Sequence, residues 1–227
     1  MKQTIFTVLA LAAFASASPL LDTRADCAPV HIIAARATGE PPGPGIIGTL
    51  IDAVKHYSSQ YITTDFVEYP ATLLNYADSS AAGTAALKAQ LTNQVAACPS
   101  QKIVLVGYSQ GAHVVGDTLG GGGGGPNLGP KTAAVPASVS SHVTAVVLMG
   151  DPRHIIPETF QQGTATSQGM FPRLPDQSLE AFASQIHSYC DWTDLFCAGG
   201  LNLLIHVSYT VKYNYVAAPF ILSKIGG

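Results

Sequence analysis

A chain of 227 residues with 11% charged side chains and a formal net charge of -3 can bury one sizeable core and carries no basic surface for phosphates. Nucleic acid is therefore not expected as a partner. An apolar content of 47% argues against a disordered, solvating chain.

The N-terminus, "MKQTIFTVLALAAFASASPLL", joins a lysine to an apolar run of about ten residues and then to the small residues Ala15, Ser16 and Ala17. This pattern predicts a secretory signal over residues 1–17, a short N-terminal candidate pro-segment over 18–26, and a single domain over 27–227. Export places Cys27, Cys98, Cys190 and Cys197 in an oxidising compartment, where an even count favours two disulfides. Cys190 and Cys197 enclose so short a loop that a local bridge is the simplest reading, which leaves Cys27 to Cys98. Neither C-x-x-C spacing nor paired histidines is present, so no metal is expected.

Along the mature chain, "VHIIAAR" reads as a strand and is followed by the Gly/Pro cluster "TGEPPGPG". "IIGTLIDAVKHYSSQ" has helical spacing, "ITTDFVEY" alternates as a strand, and "ATLLNYADSSAAGT" opens a second helix that runs through "AALKAQLTNQVAAC". "KIVLVGY", "HVTAVVLMGDP" and "SQIHSYC" predict three more strands, and "QGAHVVGDTL" the helix after the first of them. The tail from His206 predicts a helix that Pro219 kinks or breaks. Strands alternating with helices imply a parallel sheet covered on both faces. The six glycines from Gly120 lack a following Gly-Lys-Ser/Thr, so they are read as a flexible surface connection and not a phosphate-binding loop.

The stretch "GYSQG" sits where a buried strand hands over to a helix, the setting that a nucleophile elbow requires. Gly107 and Gly111 remove side chains from a tight turn, and the helix N-terminus behind Ser109 favours developing negative charge. The backbone N–H of Gln110 is free to serve an oxyanion. A serine hydroxyl needs a base, and the base needs an acid to orient it. In an elbow fold the chain order is Ser, then Asp or Glu, then His. His113 lies within the helix after the elbow, and His142 and His187 fall at or in strands. His206 follows the cysteine loop and is placed to reach the serine. Among the acids, Asp151 ends a strand, while Asp191 and Asp194 both lie in the cysteine loop, and the residues alone do not choose between those two.

In combination, "GYSQG", "MGDP", the loop "CDWTDLFC" and the histidine after it resemble the cutinase and acetylxylan esterase family of secreted fungal serine esterases. The resemblance runs from Cys27 to the C-terminal helix. It implies a minimal α/β hydrolase with a five-stranded, mostly parallel sheet, helices on both faces and no large lid. It implies Asp194, three residues before the second loop cysteine, as the catalytic acid, with His206 as base and Ser109 as nucleophile. Thr38, in the "ARAT" context, becomes an oxyanion donor beside Gln110. The implied disulfides, Cys27–Cys98 and Cys190–Cys197, agree with the loop-length reading, and no cofactor is implied.

The substrate expected is a polymeric plant cell-wall ester, acted on by a secreted monomer without integral membrane association. The glycine insertion, "VVLMGDP" and the spacing from Cys197 to His206 favour short-acyl esters of the acetylxylan type. The apolar "LNLLI" before His206 favours cutin-like polyesters, although at least half of these side chains are expected to pack beneath the loop. A catalytically idle binding or elicitor protein on the same fold is the alternative from another class.

Overall fold

The five apolar segments form the five strands of one sheet in a computed structural model that describes residues 27–226. The signal and candidate pro-segment lie outside the described residues. The strands are β1 (Val30–Ala35), β2 (Ile62–Phe66), β3 (Lys102–Tyr108), β4 (Val143–Met149) and β5 (Ile186–Tyr189), in the spatial order β2-β1-β3-β4-β5. All four pairings are parallel. Between the strands run α1 (Gly48–Tyr57), α2 (Tyr76–Ala97), α3 (Gln110–Gly120) and the short α4 (Ala137–Ser140). After β5 come α5 (Leu203–His206) and α6 (Tyr209–Ile225).

The two-residue period of a strand explains the two cores. Val30, Ile32 and Ala34 of β1 and Val104, Val106 and Tyr108 of β3 face α1 and α6. Ile33 and Ala35 of β1, with Ile103 and Leu105 of β3, face α2 and α3. Apolar side chains therefore point both ways from each central strand, which is why these strands read as continuous apolar runs. Every residue of α3 from Gln110 to Leu119 is buried, so this helix has no solvent face to carry charge.

Three expectations change. The second helix begins at Tyr76 and not at Ala71, because Ala71 and Asn75 take left-handed backbone conformations and residues between them form a loop. Pro219 does not break α6: it lies on the exposed face, where water can satisfy the carbonyl that a missing N–H leaves free. The glycine run is not simply a surface connection. Gly121 and Gly122 are buried, Gly122 bridges to Thr132, and the Gly122 carbonyl accepts a hydrogen bond from the Gln177 amide at 3.0 Å.

Candidate active site

The C-terminal ends of the parallel strands open on one edge of the sheet, and the candidate residues gather there. β3 delivers Ser109 in a strained conformation, with φ 54° and ψ -118°, a backbone state that costs on the order of 1–3 kcal/mol. The surroundings enforce it. The Ser109 N–H donates to the Met149 carbonyl at 2.8 Å. A Cβ on Gly107 would strike the Gly111 carbonyl, and one on Gly111 would strike the Ala35 carbonyl, so the strand and helix close on each other only through glycine.

Ser109 Oγ lies 2.8 Å from Nε2 of His206. Nδ1 of the same imidazole lies 2.9 Å from Oδ2 and 3.1 Å from Oδ1 of Asp194. An ionised carboxylate only accepts, so Nδ1 carries the proton and Nε2 is left to accept the serine O–H. The Asp194 carboxylate is fully buried yet well satisfied. Its Oδ1 accepts the N–H groups of Phe196 at 2.7 Å and Cys197 at 2.9 Å, and its Oδ2 accepts the Tyr209 hydroxyl at 2.7 Å. Burial alone would raise this carboxyl, but the His206 hydrogen bond and charge, followed by the Cys197 and Tyr209 donors, hold it below the usual carboxylate range.

The loop that carries Asp194 is closed by the Cys190–Cys197 disulfide, and Cys27 pairs with Cys98. The Asn202 N–H donates to the Thr193 carbonyl, and the Asn202 side chain caps α5 by accepting from the Ile205 N–H. The segments that bear Asp194 and His206 are thus stitched together before either side chain is considered. Tyr108, next to Ser109, donates its hydroxyl to the His206 carbonyl and so ties His206 to the strand that leads into Ser109.

The other candidates are engaged elsewhere. Asp151 accepts from Arg173 at 3.2 Å. Asp191 turns away from His206 and takes Lys212, Tyr213 and Thr164 as partners. His113 bonds Asp117 and Tyr76, and His187 stacks on Phe220 with centroids 3.6 Å apart. Among the described residues no group of three or more His, Cys, Asp or Glu side chains is arranged to hold a metal ion.

Thr38 lines the same cavity as Ser109 and His206. Its loop is held by Arg36, which donates to the Val67, Tyr69 and Glu40 carbonyls, and by the Glu40 carboxylate, which accepts the Ala37 and Ile46 N–H groups. Gln110 is fixed through its side chain, which accepts from Ser79 at 3.0 Å and donates to the Thr72 carbonyl at 3.1 Å. Its backbone N–H, in the first turn of α3, has no intrahelical acceptor.

The cavity holds about 390 Å³ and is mainly apolar, with Ile46, Leu73, Tyr76, Met170, Phe171 and Leu203 in its lining. The expected packing of the "LNLLI" leucines beneath the loop is not what occurs. Leu201 is 93% exposed, Leu204 78% and Leu203 52%, and Ile205 alone of the four apolar residues packs on the core. The short α5 turns its leucines outward because its inner position is taken by His206. Two contributors lie beyond the residue reading: Tyr209, three positions after His206 on the next helix, and Gly150 of "MGDP", whose missing Cβ makes room for the imidazole.

The model of the cutinase family matches residues 26–225. The chain belongs to the cutinase family. An acetylxylan esterase of Hypocrea jecorina is 35% identical over 99% of this chain and 77% of its own length. Cutinase 11 of Verticillium dahliae is 34% identical over 98% of this chain and 77% of its own. The solved catalytic core domain of the acetyl xylan esterase from Trichoderma reesei superposes with a TM-score of 0.80 at 35% identity, covering 88% of this chain and all of that one. This member of the cutinase family is accordingly a serine carboxylic-ester hydrolase with an α/β-hydrolase fold. Among the described residues no helix is long and apolar enough to cross a membrane.

Proposed function

We propose that Ser109, His206 and Asp194 form the catalytic triad of a secreted, monomeric esterase that removes short acyl groups, acetyl first, from plant cell-wall polysaccharide. The observation that carries the reading is the unbroken chain from Ser109 Oγ to His206 Nε2 at 2.8 Å and from His206 Nδ1 to Asp194 at 2.9 Å. Resemblance to acetylxylan esterases over nearly the whole chain supports the substrate class. The two disulfides and the N-terminal pattern support export.

In the reaction, His206 Nε2 takes the hydroxyl proton as Ser109 Oγ attacks the ester carbonyl carbon. The imidazolium that results is stabilised by the Asp194 carboxylate, which is kept ionised by its donors. Thr38 and the Gln110 N–H hold the oxyanion, with the field of the α3 N-terminus behind them. His206 then returns the proton to the departing alcohol oxygen. Water, deprotonated by the same imidazole, cleaves the acyl-serine and regenerates the hydroxyl. No cofactor enters these steps.

A second reading, hydrolysis of cutin-like polyesters, is favoured by the exposed Leu73 and Leu203 in the cavity lining. The deciding experiment is hydrolysis of p-nitrophenyl esters from acetate to palmitate, beside release of acetate from acetylated xylan, by wild type and Ser109→Ala. Rates that fall steeply after acetate, with acetate released from xylan, support the first reading. A maximum at butyrate or longer supports the second. Equal rates for the two proteins refute the role given to Ser109.

A further inference from the structure

A second hydroxyl–imidazole–carboxylate chain abuts the same cavity. Tyr76, the first residue of α2, contributes to the cavity wall. Its hydroxyl lies 3.0 Å from Nδ1 of His113, and His113 Nε2 lies 3.0 Å from Oδ2 of Asp117. His113 and Asp117 are buried, and the acyl transfer uses none of the three.

The polarity of this chain follows from its far end. Burial would raise the Asp117 carboxyl, but His113, Arg173 and Arg153 together hold it far below the usual range, so it is an anion and only accepts. In the neutral imidazole, His113 Nε2–H donates to it and Nδ1 is left to accept the Tyr76 O–H. The phenol is therefore anchored inward, away from the cavity that its ring lines. On the ring's face sits Phe171, with centroids 5.1 Å apart and planes inclined by 28°. Phe171 is placed by its own N–H on the Pro152 carbonyl at 2.8 Å. Two residues on, the Arg173 guanidinium donates to Asp117 at 2.8 Å and to Asp151 at 3.2 Å. Both rings of this wall are thus referred to one buried carboxylate, Tyr76 through His113 and Phe171 through its neighbour Arg173.

We propose that Tyr76 is a specificity-determining residue of the cavity and that His113 is its positioning residue, so that an anchored ring limits the size of the group accepted beside Ser109. The inference rests on the esterase reading of Ser109 above. A ring bonded at its hydroxyl and stacked on its face keeps one rotamer, whereas a ring without the anchor can turn aside and admit a longer chain.

The test is kcat and KM for p-nitrophenyl acetate, butyrate and octanoate with wild type, Tyr76→Phe, His113→Leu, His113→Gln and the double variant Tyr76→Phe/His113→Leu. Loss of one hydrogen bond corresponds to a fall of about fivefold in the acetate-to-octanoate ratio of kcat/KM, carried by KM for octanoate. Tyr76→Phe and His113→Leu are expected to show the same fall, and the double variant no more than either, because both remove one linkage. His113→Gln, whose amide can donate to Asp117 and accept from Tyr76, is expected to restore most of the ratio. Should His113→Leu fail to fold, Tyr76→Phe, which keeps the ring, and His113→Gln carry the test. A ratio unmoved by Tyr76→Phe, additive effects in the double variant, or His113→Gln behaving as His113→Leu overturns the proposal. If hydrolysis depends on Ser109 but the ratio is unmoved, the Tyr76 assignment alone falls. If the wild type shows no Ser109-dependent hydrolysis, both fall.

Discussion

A Cβ built on Gly150 would sit 2.8 Å from Cε1 and 3.0 Å from Nδ1 of His206. The φ of Gly150 is also 65°, in the left-handed region that a side chain disfavours by roughly 1–2 kcal/mol. The glycine of "MGDP" is therefore the seat of the imidazole as well as a turn residue. Gly150→Ala is expected to displace His206 from Ser109 and to lower kcat on the order of 10²-fold, the scale of a small misplacement in a preorganised site. Ester hydrolysis measured beside a thermal melt checks it. Full activity in a folded variant would show that the imbalance of space is absorbed elsewhere.

Tyr209 links the two aspartates of the cysteine loop. Its hydroxyl donates to Asp194 Oδ2 at 2.7 Å and accepts the Asp191 N–H at 2.8 Å. Tyr209→Phe leaves that buried N–H without its acceptor, at a cost of about 1–3 kcal/mol, and removes one donor from the carboxylate that orients His206. The expected result is a lower urea midpoint together with a fall in kcat of about tenfold, since a carboxylate hydrogen bond is worth roughly 1.5–3 kcal/mol. A loss of stability with kcat intact would assign Tyr209 to the fold alone.

The elbow is legible in the sequence because its parts are contiguous: an apolar strand, two glycines at fixed spacing, and a helix with no charged face. The parallel sheet follows from the same local signals repeated. The choice between Asp191 and Asp194 is not legible from residue types, since both share one short loop. It depends on which carboxylate faces α5 and which faces Lys212 and Tyr213 of α6, a long-range matter. The glycine run misleads for a related reason. Its composition implies freedom, while its carbonyls are gripped by Gln177 from more than 50 residues away along the chain. The exposed leucines of α5 escape a burial argument because His206 takes the inner position.

The two disulfides are expected to separate stability from activity. Cys27–Cys98 spans 71 residues and lies away from the cavity, so its loss releases a long loop in the unfolded chain, worth about 4 kcal/mol. Cys190–Cys197 spans only 7 and encloses Asp194, so its removal relieves less loop entropy, about 2 kcal/mol, but loosens the orienting acid. Replacing the first pair by alanine should lower the melting temperature while leaving kcat near wild type at a temperature where the variant is folded. Replacing the second should lower kcat more than the melting temperature. The same ordering of both effects in the two variants would contradict this division.

Asp117 should make the fold sensitive to acid. Burial pushes its carboxyl up, but His113, Arg173 and Arg153 outweigh burial, and the folded-state value lies far below that of an unfolded aspartate, about 3.9. Below that unfolded value the unfolded chain binds a proton that the native state refuses. The stabilisation is therefore complete above about pH 5 and is lost as the pH falls through the unfolded value toward the folded one. Asp194 and Asp191 are shifted in the same direction and add to the slope. Asp117→Asn removes this titration and leaves the buried Arg153 and Arg173 short of a counter-charge, at a cost of about 3–5 kcal/mol at neutral pH. Urea midpoints at pH 7, 5 and 3 should show wild type well above the variant at pH 7 and a narrower gap at pH 3, where the loss has begun. Parallel curves would mean that the acid response arises from other carboxylates and that Asp117 is not the hub of this network.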